Sequence, residues 1–190
     1  MHSYNVQSLK LRNIMAALML GVAAGAIASV AERVDFALTG GNYTPLGYIN
    51  TYMWILVAVV LFGPIGPIIT TEIQALIGLV TFSNPLSWLW PIMNLVFAVA
   101  VSLVSIGITK FNPRARISIR LTLMSLTCAI LDIPLVYVVI VTVLNLPFTV
   151  YLVSLPIYVA LQLIPTTFLS YVVIRTTLRS EILGKRSEKK

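Results

Sequence analysis

Two carboxylates sit where this chain is otherwise apolar, Glu72 and Asp132. An acid placed that deep in lipid costs roughly 2.5–3.5 kcal/mol on insertion scales, so it usually faces a site or a partner. Other polar and aromatic groups recur at comparable depth: Asn94, Gln162, Tyr137, Tyr158, Trp88 and Trp90. Counting about 1.5 Å of rise per residue from the ends of the apolar runs puts these groups between the midplane and the outer surface. The expectation is one pocket, open to the outside, lined by all eight. No Lys or Arg falls at that depth. Either one acid is protonated, since burial disfavours a carboxylate, or a ligand brings the missing cation. Aromatic faces beside a cation would add about 0.5–2 kcal/mol each. A plainer alternative makes the tryptophans an interfacial belt and has Asp132 bond backbone groups freed by nearby prolines.

The elements that carry these residues have to be membrane helices. The chain has 190 residues, of which 58% are hydrophobic and 10% charged, against about 25% charged in a soluble domain. A span needs about 20 apolar residues, so the length predicts an all-α, polytopic bundle of six transmembrane helices. It forms a single domain, with no room for a separate soluble catalytic unit. The spans fall at about residues 12–31, 49–62, 61–82, 86–108, 117–143 and 149–174, with a polar segment 1–11, a loop at 32–50 and a basic tail at 175–190. Gly63, Pro64, Gly66 and Pro67 make a sharp corner before the span that holds Glu72, because proline cannot continue a helix through its missing donor. The net charge of +7 would suggest nucleic acid in a soluble protein. Here it lies in short patches between apolar runs, so topology accounts for it and no nucleic-acid partner is expected. Basic residues favour the cytosolic side. A cytosolic N-terminus then puts Lys10, Arg12, Lys110, Arg114, Arg116, Arg120 and the tail inside, and leaves only Arg33 outside, beside Glu32 and Asp35. Both termini are expected to be cytosolic.

Small residues recur on the first span. Ala17, Gly21, Gly25 and Ser29 are spaced by four, and Ala24 and Ala28 form another such pair. Residues four apart share a helix face, and small ones let another helix approach closely. The face serves either internal packing or the docking of a separate membrane protein. Cys128, the single cysteine, lies in an apolar run and reads as a small buried hydrophobe. His2 is the single histidine and has no companion to complete a metal site, so no metal is expected. An intramembrane enzyme would need a nucleophile, a histidine or paired acids within reach, and only Glu72 and Asp132 lie deep. There is no Gly-x-x-x-x-Gly-Lys-Ser/Thr phosphate loop, so the chain does not itself hydrolyse ATP. The enzyme class is disfavoured, and a self-contained secondary transporter stays as the alternative to a binding subunit.

The size, the small-residue first span and the segment Gly63-Pro64-Ile65-Gly66-Pro67 to Glu72-Ile73-Gln74-Ala75-Leu76-Ile77-Gly78, followed by Ser83-Asn84-Pro85 and Asn94-Leu95-Val96-Phe97, resemble the substrate-binding S component of energy-coupling factor (ECF) transporters. The acid followed by Ala-Leu is most similar to the branch for thiamine or its hydroxymethylpyrimidine precursor. The likeness covers most of the chain in architecture, and about residues 11–30 and 61–97 in sequence. It implies a capture subunit in a prokaryotic cell (plasma) membrane that takes a vitamin from outside. Its partners would be a transmembrane coupling subunit and a cytosolic ATPase pair, which use the ATP. It also implies docking of the coupling subunit on an Ala-x-x-x-Ala motif of the first helix. Ala24 and Ala28 match that motif, and Ala17 and Gly21 match it with one substitution.

Overall fold

The computed structural model describes residues 11–40, 44–83 and 85–187, with side chains to position 180. Segment 1–10 with His2 and Lys10, positions 41–43 and 84, and the tail end 188–190 lie outside the described residues. Among the described residues the chain is helical, without strands. The helices are α1 (Leu11–Thr39), α2 (Pro45–Phe62), α3 (Gly66–Thr81), α4 (Trp90–Phe111), α5 (Ile117–Tyr137), α6 (Phe148–Leu161) and α7 (Thr167–Ser187). A π turn over Val138–Val143 continues α5, and another over Gln162–Thr166 joins α6 to α7. Five of the resulting rods are long and apolar enough to cross a membrane, while α3 has 16 residues, about 24 Å at 1.5 Å per residue. The chain is an all-α, multi-pass membrane bundle, as its composition predicts.

Proline and glycine set the breaks. Prolines open α2, α3 and α4 in the first turn, where the lost donor is free in any case. Gly63 turns the corner with φ 81°, a left-handed conformation open to glycine at little cost. Pro134, Pro156 and Pro165 lie inside helices. Hydroxyls cover backbone that such prolines release: Thr166 Oγ1 donates to the Leu161 carbonyl at 2.9 Å, and Ser125 Oγ to that of Gln162 at 2.8 Å.

Successive rods alternate in direction, with α6 and α7 counting as one. The start of α1, the basic 110–116 connection and the end of α7 therefore share one end of the bundle, and Arg33 is the single described basic residue at the other. The main core surrounds α2, with Ile55, Leu56, Phe97, Val101, Leu121, Met124 and Ile174 buried together. Cys128 belongs to it and is buried, as expected. A smaller cluster of Val136, Ile140 and Tyr151 ties the end of α5 to α6.

The small-residue face of α1 is spent inside the chain. Ala17, Gly21, Gly25, Ala24 and Ala28 are all buried, and α1 packs more extensively on α3 than on any other helix. A Cβ placed on Gly21 would lie 2.7 Å from the Thr70 carbonyl oxygen, and one on Gly25 would lie 2.7 Å from Ile77 Cδ1. Thr70 Oγ1 donates to the Ala17 carbonyl at 3.1 Å, and Asn50 Nδ2 to that of Ala24 at 3.2 Å. Ala17, Gly21, Ala24 and Ala28, expected as a docking motif, are packed inside the chain, where α3 and α2 fill the groove.

The loop expected at 32–50 is mostly helix. Val34, Phe36, Ala37 and Leu38 carry the apolar character of α1 past its charges to Thr39. Asp35 is 1% exposed. Its carboxylate accepts the backbone N–H groups of Leu46 at 3.2 Å and Gly47 at 2.8 Å. It thus caps α2 from a neighbouring helix, with its negative charge on the positive end of the helix dipole. Thr44, at the usual capping position, makes no such bond. Asp35→Ala is expected to cost about 1–2 kcal/mol, at the upper end of capping losses. A lowered thermal midpoint of the detergent-solubilised chain checks this, and an unchanged midpoint would mean the cap contributes nothing.

Candidate functional site

At the Arg33 end of the bundle, α1, α2, α4, α5 and α6 enclose a cavity of about 90 Å³. Its centre is Asp132, 1% exposed. Tyr48 and Tyr52 stand one turn apart on α2 and both donate their hydroxyls to this carboxylate, Tyr52 at 3.2 Å. These two hydrogen bonds offset part of the cost of burying the carboxyl group. The aromatic rings form a cluster. Tyr48 packs on Tyr52 with centroids 4.4 Å apart and on Tyr158 at 5.0 Å, and Tyr52 meets Phe97 edge-on at 4.8 Å.

A second carboxylate, Glu32, lines the mouth. Its Oε2 accepts from Ser83 Oγ at 2.6 Å. Gly47 makes room for it, since a Cβ there would lie 2.7 Å from Glu32 Cγ. The buried indole N–H of Trp90 stands close to the Glu32 carboxyl but, among the described residues, meets full hydrogen-bond geometry with no acceptor. Asn94 reaches the Thr71 carbonyl at 3.3 Å, and Thr51 takes a bond from Gln74 Nε2 at 2.6 Å. Among the described residues, the lining holds two carboxylates and no Lys, Arg or His. Among the described residues, no group of three or more His, Cys, Asp or Glu comes together. Chemically, the arrangement offers acceptors and aromatic faces to a solute that carries N–H donors or positive charge.

The structure brings together Asp132, Trp90, Asn94 and Tyr158 of the expected set. The other four lie elsewhere. Glu72 is on the flank of α3, one residue on from the buried Thr71 and two before the buried Gln74, and does not line the cavity. Trp88 faces a separate outer groove and is 56% exposed. Tyr137 packs against Tyr151 and Phe148. Gln162 is fully buried and its amide donates to Ser125 Oγ at 3.3 Å, so it serves packing. Reasoning from the sequence missed Glu32, Tyr48, Thr51 and Tyr52. The signals were present: Tyr48 and Tyr52 share a helix face by their spacing, and apolar residues resume after Asp35. Comparison with protein-family models, with curated proteins and with solved structures finds no match to this chain.

Proposed function

We propose that this chain is the membrane-embedded capture subunit of an ATP-driven importer in a prokaryotic cell membrane. It takes a small cationic or heteroaromatic solute, a vitamin or precursor of the thiamine or hydroxymethylpyrimidine kind, from outside. It passes the solute on through a coupling subunit and a pair of cytosolic ATPases. One observation carries the reading: Asp132 is buried among tyrosines, at the end of the bundle that holds Arg33 as its single described basic residue, in a cavity that no described Lys, Arg or His lines. The likeness of the Gly63–Gly78 segment to ECF S components supports the transport class.

At about 90 Å³, the cavity is well below the roughly 300–1,000 Å³ usual for small-molecule sites. Loading therefore requires a wall to move. The wall best suited is the end of α5 with α6, which has its own small apolar cluster and is bounded by Pro134 and the π turn at Gln162–Thr166.

Equilibrium binding of thiamine and hydroxymethylpyrimidine to the purified full chain tests the assignment. Glu32→Gln is expected to weaken binding about fivefold, the value of one typical hydrogen bond. Glu72→Gln should leave it within about twofold, because Glu72 lies outside the cavity. The opposite pattern would move the site to α3. A second reading, a self-contained secondary transporter, is favoured by α3 filling the face on which a coupling subunit would dock. Uptake into liposomes holding this chain alone would establish the second reading; uptake only with added coupling and ATPase subunits supports the first.

A further inference from the structure

The bundle carries a second concavity, which the proposed transport site does not use. α1 outruns the short α3: Ser29 bonds Thr81 at 3.0 Å near the end of α3, and α1 then continues to Thr39. The step left beside the last turns of α1 is a groove of about 510 Å³. Its walls are mostly apolar, from Phe36, Leu79, Phe82, Pro85 and Trp88, with the small hydroxyls of Ser83 and Ser87 between them, and its charged feature is Arg33. Phe82 closes α3 with φ 47° and keeps its ring 85% exposed. That conformation is uncommon for a non-glycine residue. It is held because the Phe82 N–H still bonds the carbonyls of Gly78 and Leu79.

The charges are sorted between the two sites. Glu32 turns inward to Ser83, and Asp35 caps α2. Arg33, between them in sequence, turns outward, and its Nη2 donates to the Thr81 carbonyl at 3.1 Å. That bond takes one of its five N–H donors and holds the planar guanidinium at the rim of the groove. Among the described residues Arg33 pairs with no carboxylate, and no other basic residue lies at this end of the bundle. A fixed guanidinium matches phosphate oxygens in a bidentate way. The wall below it is made of apolar side chains, in a helix bundle whose outer surface is built for lipid. A free phosphate would have no use for such a wall, and an apolar tail alone would have no use for the guanidinium.

We propose that this groove is a binding site for one membrane phospholipid, with the headgroup phosphate on Arg33 and an acyl chain along Phe36, Leu79 and Phe82. The lipid fills the step left by the short α3, where two unequal helices would otherwise leave a void in the bilayer. The test is native mass spectrometry of the full chain released from detergent micelles doped with phosphatidylglycerol, phosphatidylcholine, diacylglycerol or inorganic phosphate. One retained phospholipid per chain is expected, with neither diacylglycerol nor inorganic phosphate retained. Arg33→Gln should lower the retained fraction at least fivefold, Arg33→Lys should restore part of it, and Phe82→Ala should lower it with Arg33 intact. Equal retention by wild type and Arg33→Gln, equal retention of diacylglycerol, or a dimer of the chain in place of the lipid adduct would each overturn the proposal.

Discussion

Asp132→Asn is expected to lower solute affinity by about 10- to 100-fold, the loss of one charge-assisted hydrogen bond at roughly 1.5–3 kcal/mol. The substitution keeps shape and leaves one acceptor oxygen for Tyr48 or Tyr52, the other hydroxyl turning to accept from the new amide N–H. What disappears is the formal charge, at the place in the cavity where the Tyr48 and Tyr52 hydroxyls converge. Taking the charge out of a dry site also relieves a desolvation cost, so the fold should not suffer. Isothermal titration gives the affinity, and the thermal midpoint in the same detergent gives the stability. Unchanged affinity with a lowered midpoint would make Asp132 a purely structural acid.

The second large effect is on the fold. Gly21→Leu is expected to cost at least 3 kcal/mol, beyond the usual 1–3 kcal/mol for overpacking, or to leave the chain aggregated in detergent. The new side chain would begin 2.7 Å from the Thr70 carbonyl oxygen and 2.8 Å from Ile73 Cβ, and a backbone carbonyl cannot swing aside as a side-chain tip can. Separating α1 from α3 would also break the Thr70–Ala17 bond. Ala26→Leu, on the exposed face of the same helix, should be tolerated within about 0.5 kcal/mol, as surface changes usually are. Thermal midpoint and elution profile compare the two. Equal behaviour would mean that α1 and α3 are not as closely packed as described, and would restore the small-residue face as a docking surface.

Much of the fold was legible because lipid imposes simple rules. Apolar run length gave the spans, and Gly63, Pro64 and Pro67 gave the corner. The small residues of α1 signalled close packing, but small size does not say whose helix comes close. That depended on α3 running alongside, which residue types do not encode. The site was half legible. Asp132 and Trp90 stood out by depth and chemistry. Glu72 had the same credentials and failed on helical phase, since one residue is a turn of about 100° and faces it away from Thr71. Glu32 and Asp35 misled in the opposite direction. A cluster of charges read as the end of a span, yet both carboxylates found partners inside, on Ser83 and on the start of α2. With α1 ended early and α2 begun late, Tyr48 fell outside the bundle and the pair that holds Asp132 went unseen.

The central claim is that the Asp132 cavity receives a solute. The most direct measurement is quantitative mass spectrometry of small molecules released from purified wild-type chain and from Asp132→Asn, prepared in parallel. A solute rich in N–H donors is expected, near one per chain from wild type and reduced at least tenfold, about 1.4 kcal/mol, in the variant. The same solute in equal amount from both proteins would contradict it.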